Sequence, residues 1–507
     1  MARTCDPVIS YSFARERGFV LLNEEDGTPG NTSDALRVGM REGADPLSIL
    51  EVRRALGRPV SVIPLSGTEF DQHVSGIYAV EGIDSEDLAE DFDRDDDFLS
   101  LVEDIPKTAD LLDADDDAPV IRLINSLIAE AFKRQASDIH VEPFESKLSV
   151  RLRIDGVLSE VVRLSSRLAP LLVSRIKVMA RLDIAEKRIP QDGRISLSIG
   201  GKSLDVRVST LPARHGERVV MRLLDKDQAH FDLDQLGMGE ATLADFKAAL
   251  GEPNGVILVT GPTGSGKTTT LYAGLSRLND ESRNILTVED PVEYALEGIG
   301  QTQVNSRVGM TFAAGLRAIL RQDPDVVMVG EIRDVETAQT CVQASLTGHL
   351  VLSTVHTNDA VSAVTRLRDM GIEPFLLAST VKAILAQRLV RRLCGQCREP
   401  YEADALERDL MGAGGQEKVT LHRPVGCPSC NHTGFTGRVG LYEIIRVDAR
   451  LRRMIHDDAD EQDLAHVAFT ARDTLLESGR AHVRAGQTSL EEVMRVCRRE
   501  EAGHGGV

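Results

Sequence analysis

Hydrophobic positions follow different rhythms in different parts of the chain. Near the start, two short apolar stretches, Phe19 to Leu22 and Val60 to Pro64, flank Pro46 to Leu56, which reads as a helix. Residues 1–80 are therefore expected to form a small α/β domain. Past residue 119, Val120, Leu123, Ile124, Leu127, Ile128 and Ala131 recur at helical spacing, so one face of that helix is apolar. Leu148, Val150, Leu152 and Ile154 then alternate with Ser149, Arg151 and Arg153, the period of a half-buried strand. Asp155-Gly156 is a hairpin signal at its end. A second alternating strand pair spans roughly Arg194 to Leu224, with Pro212 to Gly216 as its turn. Residues 119–230 are thus expected to be a second, α+β domain rich in strand arginines, which ordinarily face solvent. From about residue 231 the rhythm changes to continuous apolar runs: Val256 to Thr260, Ile285 to Val288, Val326 to Val329 and Leu350 to Val355. Runs of this kind separated by helical stretches predict an α/β domain with a parallel sheet over residues 231–500.

The ends of those runs carry the polar chemistry. The first leads into Gly261-Pro262-Thr263-Gly264-Ser265-Gly266-Lys267-Thr268-Thr269, a glycine loop between a strand and a helix. Such a loop lets backbone N–H groups approach phosphate oxygens, and the helix N-terminus adds partial positive charge. Lys267 is expected to reach the terminal phosphates, and Thr268 to hold Mg²⁺. The second run ends at Glu289-Asp290, the third at Gly330-Glu331 and the fourth at His356. Ligands of open parallel sheets bind beyond the carboxyl ends of the strands, so one crevice is expected to gather Lys267, Thr268, Glu289, Asp290, Glu331 and His356. Hydrolysis of a γ-phosphate needs a carboxylate to hold a water in line. Glu331 suits that task; Glu289 and Asp290 are candidates for Mg²⁺ or for the same water. His356 is expected to sense the γ-phosphate, against the plainer reading of a structural histidine; His349 reads as structural. Arginines supplied by another domain or subunit would stabilise the transition state, and Arg207, Arg222, Arg317 and Arg321 are candidates.

Charge and cysteine change the picture in two places. A formal net charge of -20 and the absence of Trp argue against a nucleic-acid surface. Glu81 to Asp104 holds twelve acidic residues against one arginine, and Asp113 to Asp117 is a second acidic cluster. Residues 81–118 therefore read as a solvated linker, with a docking strip for a basic partner as the alternative. No apolar run approaches membrane-spanning length and no secretory signal is visible, so the cytoplasm is the expected compartment. Of seven cysteines, four form the pairs Cys394-x-x-Cys397 and Cys427-x-x-Cys430. Four thiolates at that spacing suit a closed structural Zn²⁺ site within a subdomain over 394–440; redox C-x-x-C pairs are the competing reading. Cys5, Cys341 and Cys497 read as ordinary thiols.

At these residues the chain resembles the secretion ATPases of the type II/type IV pilus superfamily. The glycine loop is similar to their Walker A segment. Ile285-Leu-Thr-Val-Glu-Asp-Pro-Val-Glu293 is similar to the Asp box. Leu320-Arg-Gln-Asp-Pro-Asp-Val-Val-Met-Val-Gly-Glu-Ile-Arg333 resembles the Walker B region, and Gly348-His-Leu-Val-Leu-Ser-Thr-Val-His356-Thr the His box. Upstream, Ala136-Ser-Asp-Ile-His-Val-Glu-Pro143 and Val150-Arg-Leu-Arg-Ile-Asp-Gly156 resemble the family's second N-terminal domain, a PAS-like α+β unit. The segments at Phe13-Ala-Arg and Gly57-Arg-Pro-Val-Ser-Val resemble the general secretory pathway branch. The resemblance implies a RecA-like core and a homo-hexamer in the cytoplasm. It implies docking, through residues 1–80, on the cytoplasmic part of an inner-membrane platform protein. It also implies ATP hydrolysis that drives pseudopilus assembly and protein export, with Glu331 as the Walker B carboxylate. Arg207 and Arg222 fall at the family's phosphate-facing arginines, and Arg317 and Arg321 at those before Walker B. A pilus-extension ATPase shares these segments. A nucleotide-gated scaffold with little turnover and a nucleic-acid translocase are the alternatives from other classes.

Overall fold

The computed structural model describes residues 14, 17–22, 36–45, 48–56, 59–67, 69–70, 73, 118–199, 202–225, 232–280, 282–414, 417–470 and 472–497. The acidic clusters at 81–104 and 113–117, Cys5, Phe13 and Gly57 lie outside these described residues. The chain divides into two units, Met1–Asp227 and Gln228–Val507.

The first unit holds two sheets. Strands β1 (Phe19–Leu21), β2 (Leu36–Arg41) and β3 (Val60–Leu65) lie in that order, β1 antiparallel and β3 parallel to β2. A parallel β2–β3 pair needs a crossover, and helix α1 (Ile49–Leu56) supplies it. Phe19, Val38, Val52, Val60 and Phe70 form the core, joined by Val178 and Ile184 from the following segment. The second sheet is antiparallel, ordered β6-β5-β4-β9-β8-β7. Its strands are β4 (Asp138–Pro143), β5 (Lys147–Ile154), β6 (Val157–Ser165), β7 (Gln191–Ile199), β8 (Lys202–Ala213) and β9 (Gly216–Asp225). Helices α2 (Ala118–Lys133) and α3 (Ala169–Met179) bury Leu123, Ile124, Leu127, Leu172 and Ile176 against it. Asp155 (φ 49°) and Gly156 (φ 85°) both take positive φ between β5 and β6, as a type I′ hairpin turn requires. The stretch expected to be one strand pair from Arg194 to Leu224 is three strands. Its second turn is confined to Arg214-His215, and Pro212 stays in register opposite Glu217. Alternation is clear in β7 and the first part of β8 but gives way to adjacent apolar residues in β9, Val219-Val220-Met221 and Leu223-Leu224, so it marks strands without counting them.

The second unit is built on a seven-stranded sheet ordered β12-β11-β13-β14-β10-β15-β18. The expected runs are β10 (Gly255–Thr260), β11 (Ile285–Glu289), β13 (Val326–Val329) and β14 (Leu350–Val355), adjacent and mutually parallel. Three further strands, unassigned by periodicity, complete it: β12 (Gly300–Gln303), β15 (Val381–Leu393) and β18 (Phe435–Arg446). β15 is parallel to β10, and β18 closes the edge antiparallel to β15. Every residue of β10 and β14 is buried, because both faces are covered. Val256 and Leu258 face one core, where helix α7 (Val335–Leu346) contributes Ala338 and Val342. Ile257 and Val259 face the other, where α4 (Glu240–Leu250) and α5 (Lys267–Leu278) contribute Phe246, Leu271 and Leu275. Helix α6 (Phe312–Ile319) packs Leu316 into the first of these cores. An insert between β15 and β18 carries the small sheet β16 (Glu399–Glu402) with β17 (Thr420–Arg423) and all four motif cysteines.

Candidate active site

The phosphate loop follows β10 and ends where α5 begins at Lys267. A Cβ on Gly261 (φ 145°) would stand 2.4 Å from the Gln387 carbonyl oxygen and 2.6 Å from Ser265 Oγ, so the loop closes there only with glycine. Pro262, Thr263, Gly264 and Thr268 are exposed and form an open rim; Thr269 is half-buried. Lys267 is 9% exposed. Its Nζ donates to the carbonyl oxygens of Gly261 at 2.8 Å and Pro262 at 3.1 Å. Burial lowers its pKa to about 8; the Glu331 carboxylate opposes that shift and the Arg388 guanidinium adds to it. Ser265 Oγ is buried and finds no partner among the described residues. A buried hydroxyl and an ammonium turned onto loop carbonyls are donors suited to phosphate oxygens, so this cradle fits a nucleotide's phosphates.

Glu331 lies two residues past β13. Its Oε2 is 3.3 Å from His356 Nε2 and its Oε1 2.6 Å from Arg333. His356 follows β14, so neighbouring strand tips deliver Lys267, Glu331 and His356 to one group. The loop beyond His356 is tied back to β10, with Thr357 Oγ1 at 2.6 Å from Thr260 Oγ1. Asp290 is exposed, and its charge acts on Arg333. Glu289 is 2% exposed, and its carboxylate is enclosed by donors from Tyr272, Thr287 and Gln301. Arg317, in the last turn of α6, pairs with Glu336 at 2.6 Å, and Arg321, two residues past that helix, donates to the Arg317 carbonyl oxygen at 2.8 Å; both are exposed. Arg207 and Arg222 belong to the first unit, as cross-strand partners on β8 and β9; Arg222 Nε donates to Asp138 at 2.9 Å. His349 bonds the Ala344 carbonyl oxygen at 2.9 Å, consistent with a local structural role. Sequence reasoning missed Arg333, Gln387 and Arg388. The last two carried a signal: a buried Gln-Arg pair interrupting an apolar strand.

The cysteine quartet forms a second centre. The sulfurs of Cys394, Cys397, Cys427 and Cys430 all lie within 4.8 Å of one another. Three pairs measure 3.9, 3.8 and 3.7 Å. Four thiolates about 2.3 Å from a tetrahedral Zn²⁺ would stand about 3.8 Å apart. Backbone N–H groups of Gly426, Cys427 and Gly434 point at these sulfurs from 3.2 to 3.3 Å. Burial opposes ionisation of Cys430, yet the donors from Cys427 and Gly434 bring its thiol down to about 6. Burial and the surrounding sulfurs push Cys397 up to about 11. The donor set and its spacing fit zinc. Cys341 and Cys497 are buried elsewhere in the same unit, and no described helix is long and apolar enough to cross a membrane.

The model of the type II/IV secretion system protein family matches residues 113–495, and the model of an N-terminal domain of GSPII protein E matches residues 8–78. The chain is 55% identical over 491 residues to the type II secretion system ATPase E of Vibrio cholerae, covering 97% of this chain and 96% of that one. It is 55% identical over 494 residues to the type II secretion system protein E of Aeromonas hydrophila, covering 97% of each. Among solved structures, the pilus retraction motor PilT with bound ADP aligns over 73% of this chain and 95% of its own, at 26% identity and a TM-score of 0.51. A RecA-like sheet with a phosphate loop and a carboxylate at the next strand tips, joined to near-complete similarity with these proteins, has one meaning: the chain belongs to the type II/IV secretion system protein family and is a type II secretion ATPase.

Proposed function

We propose that the chain hydrolyses ATP at the tips of β10, β13 and β14, with Glu331 orienting the attacking water. The observation that carries this is the Glu331 carboxylate, with one oxygen 3.3 Å from His356 Nε2 and the other paired with Arg333 at 2.6 Å, close enough to Lys267 to influence its protonation. A carboxylate held from both sides is preorganised for one water position. Residues 261–269 take the phosphates, and Thr268 and Asp290, both exposed, hold Mg²⁺ or its waters. His356 senses the γ-phosphate, and Glu289 acts at one remove by fixing Tyr272 of α5. Charge developing on the γ-phosphoryl group needs cations beyond Lys267; Arg207, Arg222, Arg317 and Arg321 are the proposed sources. Zn²⁺ on Cys394, Cys397, Cys427 and Cys430 would stabilise the 394–440 insert without an open coordination position.

The work done with ATP is pseudopilus assembly and protein export, by a homo-hexamer at the cytoplasmic face of the inner membrane. Residues 1–80 grip the cytoplasmic part of a membrane platform protein. The match of residues 8–78 to an N-terminal domain of GSPII protein E favours secretion over pilus extension. Phosphate release by wild type and by Glu331→Gln tests the site. The variant is expected to bind nucleotide normally and lose roughly a hundredfold or more in turnover. Equal turnover of the two in assembled hexamers would remove Glu331 from the reaction.

A further inference from the structure

β15 is apolar from Ala383 to Val390 except at its centre, where Gln387 and Arg388 are 2% and 5% exposed. Consecutive strand residues face opposite ways. Gln387 accepts from Thr270 of α5 at 2.7 Å, whereas Arg388 Nη2 donates to the carbonyl oxygen of Asn358 at 2.5 Å. The register Thr260 to Ala386 sets both residues beside the phosphate loop, with the Gln387 carbonyl against Gly261. Asn358 is two residues beyond His356. The same short loop is held by Thr357 to Thr260, and by Ala360 N to Glu443 Oε1 at 2.8 Å. A buried guanidinium in the middle of a strand is a costly choice where an aliphatic residue would fill the space. Its placement therefore asks for a use.

We infer that Arg388 is a positioning residue for hydrolysis: from beside the phosphate loop it fixes the backbone that carries His356, and through His356 the Glu331 carboxylate. Its charge also acts on the Lys267 ammonium and disfavours it. Phosphate entering the loop changes the field at the guanidinium, and the hold on Asn358 changes with it. The inference rests on hydrolysis at Glu331, proposed above.

The test uses the full-length hexameric protein carrying Arg388→Gln, Arg388→Lys, His356→Ala, the double variant Arg388→Gln with His356→Ala, and Glu331→Gln. KM and kcat come from phosphate release, and nucleotide affinity from a fluorescent ADP analogue. Arg388→Gln is expected to lower kcat about tenfold or more while KM and ADP affinity move less than about threefold. Arg388→Lys keeps the charge and a donor and should recover part of kcat. The double variant should be no slower than His356→Ala alone, because two residues acting through one contact do not add. Unchanged kcat, a rise in KM alone, or additive losses would overturn the inference. Should Arg388→Gln fail to fold, the lysine variant decides: reduced kcat at unchanged KM supports the assignment, and wild-type kcat sinks it. Wild-type turnover by Glu331→Gln would instead count against the underlying site.

Discussion

Lys267 is the residue whose environment does most to set how the site responds to pH. Its pKa is about 8 in the folded chain, against an ordinary 10.5, because burial disfavours the ammonium. Between those values the unfolded chain keeps a proton that the folded chain has shed. Folding stability from this group therefore rises with pH across that window, and below about 8 the burial penalty is carried in full. A bound triphosphate reverses the balance by favouring the charged amine. Nucleotide binding above pH 8 is thus expected to take up a proton, read as a dependence of calorimetric binding enthalpy on buffer ionisation. Lys267→Ala should lose both that uptake and nucleotide affinity while its far-ultraviolet circular dichroism stays that of wild type. Binding without proton uptake would mean that the amine is already charged before phosphate arrives. At this scale the sequence was most legible where a motif fixes the residue type, as at Gly261, Lys267 and Glu331; the fold brings the charges of the last two within reach of one another. It was least legible where a polar side chain acts through a neighbour, as at Arg388 and Arg333, since spacing does not show which strand lies beside which.

Among the elements, the runs β10, β11, β13 and β14 were readable because strands buried on both faces need near-continuous apolar residues. β15 has apolar stretches broken by Gln387-Arg388 and by Arg391-Arg392, and short unperiodic apolar stretches do not separate strand from buried helix. β18 contains Gly437 and Gly440 with arginines between and at its end, residues that weaken a strand signal, and its pairing with β15 supplies the missing information. The cysteine spacing, by contrast, announced a tetrahedral cluster from sequence alone, and the sulfur separations agree with that geometry. Atomic absorption on the purified protein should find about one zinc per chain, and Cys397→Ser should release it. Faster amide exchange should then spread over residues 394–440 and spare β10 and β14, inner strands paired on both edges and buried throughout. Metal-free protein with unaltered exchange would leave the quartet as reduced thiols only.

For the molecule as a whole, the division at residues 227 and 228 separates two sets of features. The Gln228–Val507 unit has the phosphate loop and the cysteine centre; the other unit bears the match to the N-terminal domain of GSPII protein E. A chain lacking residues 1–80 is expected to keep phosphate release within about threefold, since the sheet with the phosphate loop and residues 118–227 each keep a core of their own, and only Val178 and Ile184 lose their cover. The same chain should no longer sediment with inner-membrane vesicles that carry the secretion platform. Retained sedimentation would move the grip to another surface. The first sheet was only coarsely legible, because strands this short carry few alternations.

The edge of the larger sheet shows how such machines can diversify. Leu393 and Phe435 form the last rung between β15 and β18, and everything from Cys394 to Gly434 departs from and returns to that single rung. The segment leaves and rejoins the sheet at a hairpin tip, so its removal disturbs no strand order; it does carry Met411, Val419 and Leu421 into the first of the two cores, and Arg480 and Arg484 donate to its backbone at Leu410 and Met411. A short turn spliced in its place should keep β15 and β18 paired but uncover the surface those apolar residues fill, so the module is exchangeable only for one that brings apolar side chains back to the same places.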